Sequence, residues 1–173
     1  MNDIVIRELQ GLEEILTIQP IYRLSDARLE EAAFRERISA MVAQGNYRCI
    51  AAFHDGRMVG ISGVWSGVQL WCGRYLEPDH VVVLPELRGK GIGARLMAWV
   101  EAECERLGYD VVRIAMILGR DRTRAFYRRN GFSDDGLLLV KPVSDWAAAE
   151  FPEYAAHKAA TGDRRPASPA DAV

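Results

Sequence analysis

Cysteine and histidine are scarce in this sequence and stand far apart. There are three of each: Cys49, Cys72 and Cys104, and His54, His80 and His157. An odd number of cysteines without a Cys-x-x-Cys pair fits neither a disulfide framework nor a zinc ribbon. The histidines also lack the short spacing to a second ligand that is typical of metal sites. We therefore predict reduced cysteines and no bound metal.

Long apolar runs and an excess of one charge are missing as well. The chain has 22 basic and 24 acidic residues, a formal net charge of -2, so it has no global positive field for nucleic-acid phosphates. No stretch approaches the roughly 20 apolar residues of a membrane helix. The first eight residues also lack the basic and apolar segments of a secretory signal. We expect a cytoplasmic protein that binds neither nucleic acid nor a membrane.

The composition that is present is that of a folded domain. Of the 173 residues, 49% are hydrophobic and 27% are charged, which is enough apolar material to form a core. We predict one domain over residues 1–143 and a helical extension over 144–161. Residues 162–173 contain almost no large apolar side chains and are predicted to form a flexible tail.

The pattern of strands and helices predicts a mixed α/β fold of the α+β class. Asp55-Gly56 lies between strand-like runs at residues 47–53 and 58–65, which is a strong hairpin signal. Further strands are predicted at residues 4–6, 80–84, 111–117 and 137–140, and helices at residues 26–42, 91–107 and 120–129. The unbroken apolar run after His80 predicts a central strand that is covered on both faces.

The most informative segment lies between this central strand and the long helix that follows. It contains Gly89, Gly91 and Gly93, with Arg88 and Lys90 beside them. Glycine lets the backbone turn sharply and lets its amides approach a phosphate, whose charge is favoured by the helix dipole. The alternative is that the glycines serve only a tight strand-to-helix connection. Three glycines together with two cations favour phosphate binding.

Two other phosphate motifs do not fit this segment. A P-loop needs Ser or Thr after Gly-Lys, and here Gly91 follows Lys90. Gly89, Gly91 and Ala94 match the dinucleotide fingerprint, and Asp110 lies at about the expected distance downstream. In a dinucleotide fold, however, the acidic residue ends the second strand, whereas Asp110 precedes a predicted strand. Too few residues follow to complete a doubly wound sheet.

Two motifs in order resemble the GCN5-related N-acetyltransferase (GNAT) family. Residues 88–93, Arg-Gly-Lys-Gly-Ile-Gly, fit the family's Arg/Gln-x-x-Gly-x-Gly/Ala loop without a gap. Residues 124–132, Arg-Ala-Phe-Tyr-Arg-Arg-Asn-Gly-Phe, resemble its Ala-x-x-Phe-Tyr-x-x-x-Gly-Phe segment at the Phe-Tyr and Gly-Phe ends. The resemblance covers residues 3–143. It implies a three-layer α/β/α fold around a mixed, mostly antiparallel sheet of six to seven strands.

The resemblance also implies an enzyme that moves an acetyl group from acetyl-CoA to a primary amine by direct attack in a ternary complex. The loop that would hold the coenzyme pyrophosphate comprises Arg88, Gly89, Lys90, Gly91, Ile92, Gly93 and Ala94. The pantetheine arm would lie along the backbone of Val82, Val83 and Leu84, and a bulge would splay this strand from the next one to admit the arm. Arg120 stands where many members carry an asparagine near this arm.

Catalytic residues are also implied by the resemblance. Tyr127 stands where the family places a general acid beside the thioester sulfur, although a tyrosine on a helix also serves packing. Glu77 and Asp79 precede the central strand, where the substrate cleft of the family opens, and either carboxylate is a candidate general base. They share a strand face by parity, provided that no bulge intervenes. The alternative is that both are solvated residues at a strand entrance.

The acceptor is left open by the sequence. A small-molecule amine and a peptide amine both fit, and the acidic residues near the cleft hint at a cationic substrate. The aromatic stretch from Trp65 to Tyr75, including Trp71, is a candidate wall of the acceptor pocket. A homodimer is possible through an exposed final strand or the extension. The competing classes are a noncatalytic acyl-CoA sensor and a nicotinamide oxidoreductase.

Overall fold

The computed structural model of the chain describes residues 3–117, 119–136 and 138–143. The strands in this part are β1 Ile4–Glu8, β2 Tyr47–His54, β3 Arg57–Gln69, β4 Gly73–Val83 and β5 Val111–Val112. The α-helices are α1 Gly11–Leu16, α2 Gln19–Tyr22, α3 Glu31–Ala43, α4 Ile92–Arg106 and α5 Asp121–Arg129. A single 3₁₀ turn, Pro85–Leu87, links β4 to the segment before α4.

The strands form one mixed sheet in the order β1-β2-β3-β4-β5. All neighbours pair antiparallel except β4 and β5, which are parallel. The predicted mixed, mostly antiparallel sheet is therefore confirmed, with five strands in the described residues instead of six to seven. One reason is that residues 138–140 form no strand, while Leu137 lies outside the described residues. The predicted strand 111–117 also pairs with β4 at only two positions.

Helices cover both faces of this sheet. Tyr47 of β2 hydrogen-bonds His80, whose ring also contacts Tyr22 of α2. The next residue, Arg48, forms an ion pair with Glu103 of α4 at 2.7 Å. Because successive side chains of a strand point to opposite faces, α2 and α4 lie on opposite sides of the sheet. The predicted three-layer arrangement is confirmed.

The segment before β2 differs from the prediction. Two short helices, α1 and α2, precede α3 and were not predicted, because four to six residues are too few to show a helical period. The predicted helix 26–42 begins at Glu31 in the structure. Asp26 accepts a hydrogen bond from the backbone N–H of Arg28, two residues later, and this local bond favours a turn over a helix start.

Residues Met1–Asp134 form one compact unit, and residues Asp135–Val173 form a second. In the second unit the structure describes only residues 135, 136 and 138–143, and the predicted extension at 144–161 and tail at 162–173 lie outside the described residues. No helix within the described ranges is long and apolar enough to cross a membrane.

An ion network links β1, β2 and α4 on the α4 face of the sheet. Arg48 bonds the Glu8 carboxylate through two nitrogens and bonds the buried Glu103 through a third. Arg106 binds Glu103 from one helical turn further along at 2.6 and 2.7 Å. These bonds, from Arg106 first and then from Arg48, lower the pKa of Glu103 to about 2 despite its burial.

We predict that Glu103→Gln lowers the free energy of unfolding at pH 7 by about 1–3 kcal/mol, because the two arginines lose a charged, buried partner. Since the pKa of Glu103 is lower in the folded state, its contribution is fully present above its ordinary value of 4.5 and is lost as the pH falls through about 2. Denaturant titrations at pH 7 and pH 3 measure this difference. It should shrink at the lower pH.

The matched control is Glu105→Gln, an exposed position on the same helix, which should change stability by less than about 0.5 kcal/mol. An equal loss in both variants, or a Glu103→Gln effect that does not depend on pH, would contradict the proposed role of the network.

Candidate active site

The site is organised by a bulge in β4. The register with β3 pairs Ile61 with Val82 and Gly63 with Asp79, so Ser62 alone stands opposite His80 and Val81. At the bulge, His80 has a positive φ of 35°, which is uncommon for a residue other than glycine. The fully buried Ser62 hydroxyl lies 2.8 Å from the Gly63 carbonyl and 3.4 Å from the Asp79 carbonyl. The resemblance implies a bulge that splays this strand from the next one, whereas the bulge observed lies in the pairing of β4 with the preceding strand, β3.

The bulge brings Asp79 and His80 together in a hydrogen-bonded chain. The Nδ1 atom of His80 lies 3.1 Å from Oδ2 of Asp79, and its Nε2 atom lies 3.0 Å from the hydroxyl of Tyr47. The Asp79 carboxylate also accepts hydrogen bonds from the His80 backbone N–H at 2.8 Å and from the Trp65 indole at 3.3 Å. Partial burial opposes its ionisation, but these bonds and the attraction of His80 outweigh burial and lower the pKa of Asp79.

A cleft of about 140 Å³ opens beside this chain, on the face covered by α2 and α3. We call it the α3 cleft. The residues that line it are Tyr22, Leu29, Phe34, Arg37, Ile38, Met41, Asp79 and His80. It therefore has an apolar wall from α3, a cation at Arg37, and a carboxylate at Asp79. Of these lining residues, only Asp79 is a candidate site residue in the sequence analysis.

Glu77 lies on the same face as Asp79, because the pairing register is continuous from Gly73 to Asp79. Its carboxylate, however, is held by Arg113, whose Nε lies 2.8 Å from Oε2. The guanidinium of Arg113 also stacks on the ring of Tyr75, at 3.7 Å from the ring centre. Glu77 does not line the α3 cleft.

The glycine loop, residues 88–94, has the backbone that its sequence predicts. Gly89 and Gly91 have φ values of +76° and +82°, and a Cβ at either position would meet no atom within 4 Å. Gly93 serves a different purpose, because a Cβ there would lie 3.1 Å from the ring of Phe126. Two glycines thus shape an exposed loop, and the third lets α5 pack closely on the first turn of α4.

The loop and the end of β4 leave backbone groups open. No side chain caps α4, and its first turn holds no acidic residue. The first amide of α4 that donates a backbone hydrogen bond is that of Arg95, to the Gly91 carbonyl. The amides before it have no backbone acceptor within the helix and point out of its N-terminal end. On the far edge of β4, no described strand pairs beyond Leu76. An anion suits the helix end, and an extended ligand suits the strand edge.

The remaining predicted residues divide into buried and exposed groups. Val82, Leu84 and Ile92 have buried side chains, so only their backbone is available to a ligand. The Val83 carbonyl accepts a hydrogen bond from Arg88 Nε at 3.2 Å. The predicted coenzyme set is completed by Lys90, Ala94 and Arg120. Lys90 is exposed in the glycine loop, Arg120 is exposed immediately before α5, and Ala94 is half-buried in α4.

Tyr127 lies buried on α5 and packs against the rings of Phe126 and Phe132. Burial, together with the negative charge of Asp79, raises the pKa of Tyr127 to about 12. The phenol stays protonated at neutral pH, which is the state that a proton donor requires.

Three features of the site differ from the sequence prediction or were not predicted at all. Trp71 is 66% exposed, bonds Gln69 and does not line the α3 cleft. The lining from α2 and α3 was missed, because both helices lie far from β4 in the sequence and α2 itself was not predicted. The bond between Tyr47 and His80 was also missed, since it joins residues 33 positions apart with no local signal. Within the described residues, no cluster of three or more metal-ligating side chains is present.

Comparison with known proteins places this geometry in a family. The profile of the acetyltransferase (GNAT) family matches residues 9–132. This match spans more than half of the sequence, and the chain belongs to the GNAT family. The resemblance found in the two motifs is confirmed.

Individual relatives agree with this placement. The aminoalkylphosphonate N-acetyltransferase of Salmonella typhimurium is 29% identical over 127 residues, which cover 71% of this chain and 80% of that protein. The structure of glucosamine-6-phosphate N-acetyltransferase from Arabidopsis thaliana has a TM-score of 0.64 at 17% identity, covering 83% of this chain and 100% of that chain. AAC(6')-Iy, solved with the bisubstrate analogue CoA-S-monomethyl-acetylneamine, has a TM-score of 0.69 at 14% identity, covering 83% and 99%.

At these identities the solved structures show a shared fold, while the family match and the Salmonella relative show the reaction class. The protein is an acetyl-CoA-dependent acyltransferase that transfers an acetyl group to an amine.

Proposed function

We propose that the enzyme acetylates the primary amine of a small molecule bound in the α3 cleft, using acetyl-CoA bound along β4 and the glycine loop. One observation carries this proposal: β4 contributes residues to the α3 cleft and also leads into the glycine loop. Its bulge places Asp79 and His80 in the cleft, and the same strand then runs directly into the loop before α4. Donor and acceptor would thus meet on one strand, as direct transfer in a ternary complex requires.

The coenzyme would be held mainly by backbone. The amides of residues 89–94 would bind its pyrophosphate at the uncapped start of α4, with Arg88 and Lys90 adding positive charge. The open edge of β4 at residues 82–84 would bind the pantetheine amides as a strand partner does. Arg120 is a further candidate contact. The open space at Gly89 and Gly91 fits this group, because no atom of the described residues lies within 4 Å of a Cβ placed at either position.

When bound, acetyl-CoA supplies a thioester: a C–N bond forms, the C–S bond breaks, the thiolate leaves, and the amine loses a proton. Asp79 would accept that proton directly or through water as the attacking nitrogen becomes acidic. Tyr127 would donate a proton or a hydrogen bond toward the departing sulfur. Glu77 remains a second candidate base, but Asp79 is favoured because it lines the α3 cleft and Glu77 does not.

Direct attack is favoured over a covalent acyl-enzyme. No cysteine lines the α3 cleft. Cys49 is fully buried, and burial raises its pKa to about 12, so it holds its proton at neutral pH and is a poor nucleophile.

The cleft also favours a class of acceptor. It carries Arg37 on the α3 side and Asp79 on the β4 side, with apolar residues between them. A short molecule with an amine at one end and an anionic group at the other would be complementary to this charge pattern. The name of the Salmonella relative gives such a class, the aminoalkylphosphonates. We propose a small zwitterionic amine of this kind in preference to a protein amine.

For the coenzyme loop, we predict that Gly91→Ala weakens coenzyme A binding about tenfold or more, because alanine at this positive φ costs roughly 1–2 kcal/mol and the loop relieves that strain by changing shape. Calorimetric titration with coenzyme A measures the change. Gly45→Ala is the matched control, with a φ of +77° and equally open space at the end of α3. Equal affinity in both variants would contradict the role of the loop.

For the general acid, we predict that Tyr127→Phe lowers kcat about 100-fold and leaves the Kd of coenzyme A unchanged, because only the hydroxyl is lost. Release of the coenzyme thiol at saturating amine measures kcat. Since burial and Asp79 raise the pKa of Tyr127 to about 12, the wild-type profile should show no loss of this acid below about pH 11. Unchanged turnover in the variant would refute the role of Tyr127.

For the acceptor, we predict that Arg37→Gln raises the KM of a short aminoalkylphosphonate about tenfold, with little effect on the alkylamine of equal length, because only the former has a group for the guanidinium. Arg35→Gln, an exposed position on the same helix, is the control. Equal KM changes for the two amines, or acetylation of the plain amine alone, would overturn the zwitterionic class.

A further inference from the structure

We propose that His80 is a positioning residue for the acceptor side of the reaction: its ring, fixed by the Tyr47 hydroxyl, holds the Asp79 carboxylate in one orientation at the α3 cleft. This inference rests on the proposed function, in which Asp79 serves the amine. It adds two residues behind Asp79, so that Tyr47, His80 and Asp79 form one hydrogen-bonded unit that joins β2 to the bulge of β4.

The surroundings of His80 are built to place its ring. The residue takes a backbone conformation that an ordinary side chain rarely adopts, with φ at +35°. Gly63 on the facing strand leaves the necessary room, since a Cβ there would lie 2.5 Å from the His80 ring and 2.9 Å from the Tyr47 ring. Tyr22 packs edge-on against the same ring, with centroids 5.6 Å apart. Three elements therefore fix one imidazole.

The hydrogen bonds of His80 indicate which residue of the unit contacts the substrate. The Nδ1–H of His80 donates to Asp79, and the Nε2 atom lies 3.0 Å from the Tyr47 hydroxyl. Both ring nitrogens are thus engaged within the unit, while the side chain of Asp79 is 47% exposed and that of His80 only 10%. A proton leaving the substrate would meet Asp79 before it could meet His80. The geometry assigns the contact with substrate to Asp79 and the orienting contact to His80.

Several polar groups face Asp79 besides the ring. Trp65 donates a hydrogen bond to it from β3, and Arg37 of α3 and Tyr22 of α2 line the same cleft. Besides burial, the negative charge of Asp79 raises the pKa of Tyr47 and of Tyr127. Partial burial works against the carboxylate anion, and the bonds and attraction of His80 lead the effects that lower its pKa. Removing the imidazole should therefore raise the pKa of Asp79, and the acid limb of the activity profile should move to higher pH.

The test uses His80→Asn, because asparagine tolerates the positive φ of the bulge and so preserves the strand. We expect kcat/KM for the amine to fall about 10- to 100-fold, with the Kd of coenzyme A unchanged and the acid limb at higher pH. His54→Asn, the same change at the far end of β2, is the matched control and should leave activity and its pH profile unchanged. Unchanged activity in His80→Asn would overturn the proposal.

A double variant separates positioning from independent catalysis. If His80 acts through Asp79, adding His80→Asn to Asp79→Asn should lower kcat/KM by less than about threefold further. Multiplying losses would show that His80 acts on its own and would overturn the proposal. Tyr47→Phe keeps the ring and removes the hydroxyl, so it should shift the acid limb in the same direction by a smaller amount.

A second readout needs no substrate. Carbon-13 NMR titration of the Asp79 carboxyl should give a higher pKa in His80→Asn than in the wild type, and an unchanged value would contradict the inference. If Asp79→Asn leaves acetylation intact, the proposed role of Asp79 fails. If Asp79→Asn lowers activity and His80→Asn does not, the proposed function stands and only the inference about His80 fails.

Discussion

The bulge opposite Ser62 is the constraint on which the rest of the site depends. A regular strand would send Asp79 and His80 to opposite faces of the sheet, and one extra residue places both on the face of α2 and α3. The buried Ser62 hydroxyl lies within hydrogen-bonding distance of carbonyls at the irregular pairing, and Gly63 makes room for the ring. The structure thus uses small residues on β3 to stabilise an uncommon conformation on β4.

Much of the fold follows from local patterns. The Asp55-Gly56 turn and the glycines before α4 predicted the hairpin and the long helix, because each signal lies within one element. The apolar run after His80 predicted a central strand at residues 80–84, but it forms only the end of β4, which begins at Gly73 and has no described strand paired to its far edge beyond Leu76. The start of α3 was predicted too early, since the sequence does not reveal that Asp26 bonds a backbone amide in a turn. The short helices α1 and α2 depend on tertiary packing, as Ile15, Leu16 and Ile21 are buried in the core.

In the site, as in the fold, features encoded by consecutive residues could be predicted, and features that depend on contacts between distant residues could not. The glycine loop could be predicted because its chemistry belongs to the backbone of consecutive residues, and the positive φ values of Gly89 and Gly91 agree with that reasoning. The α3 cleft could not, because it joins α2, α3 and β4, which are distant in sequence. The pairing of Glu77 with Arg113 likewise depends on the brief parallel contact of β4 with β5. Glu77 and Asp79 are both carboxylates, so their long-range contacts, and not their residue types, distinguish them as candidate general bases.

The central claim is that β4 joins a coenzyme site to an acceptor site. Amide hydrogen exchange of the wild-type protein, alone, with coenzyme A and with a short aminoalkylphosphonate added, tests it most directly. We predict that coenzyme A protects residues 82–94 and that the amine adds protection at α2, α3 and the bulge. Protection by coenzyme A elsewhere, with residues 82–94 unchanged, would contradict the account.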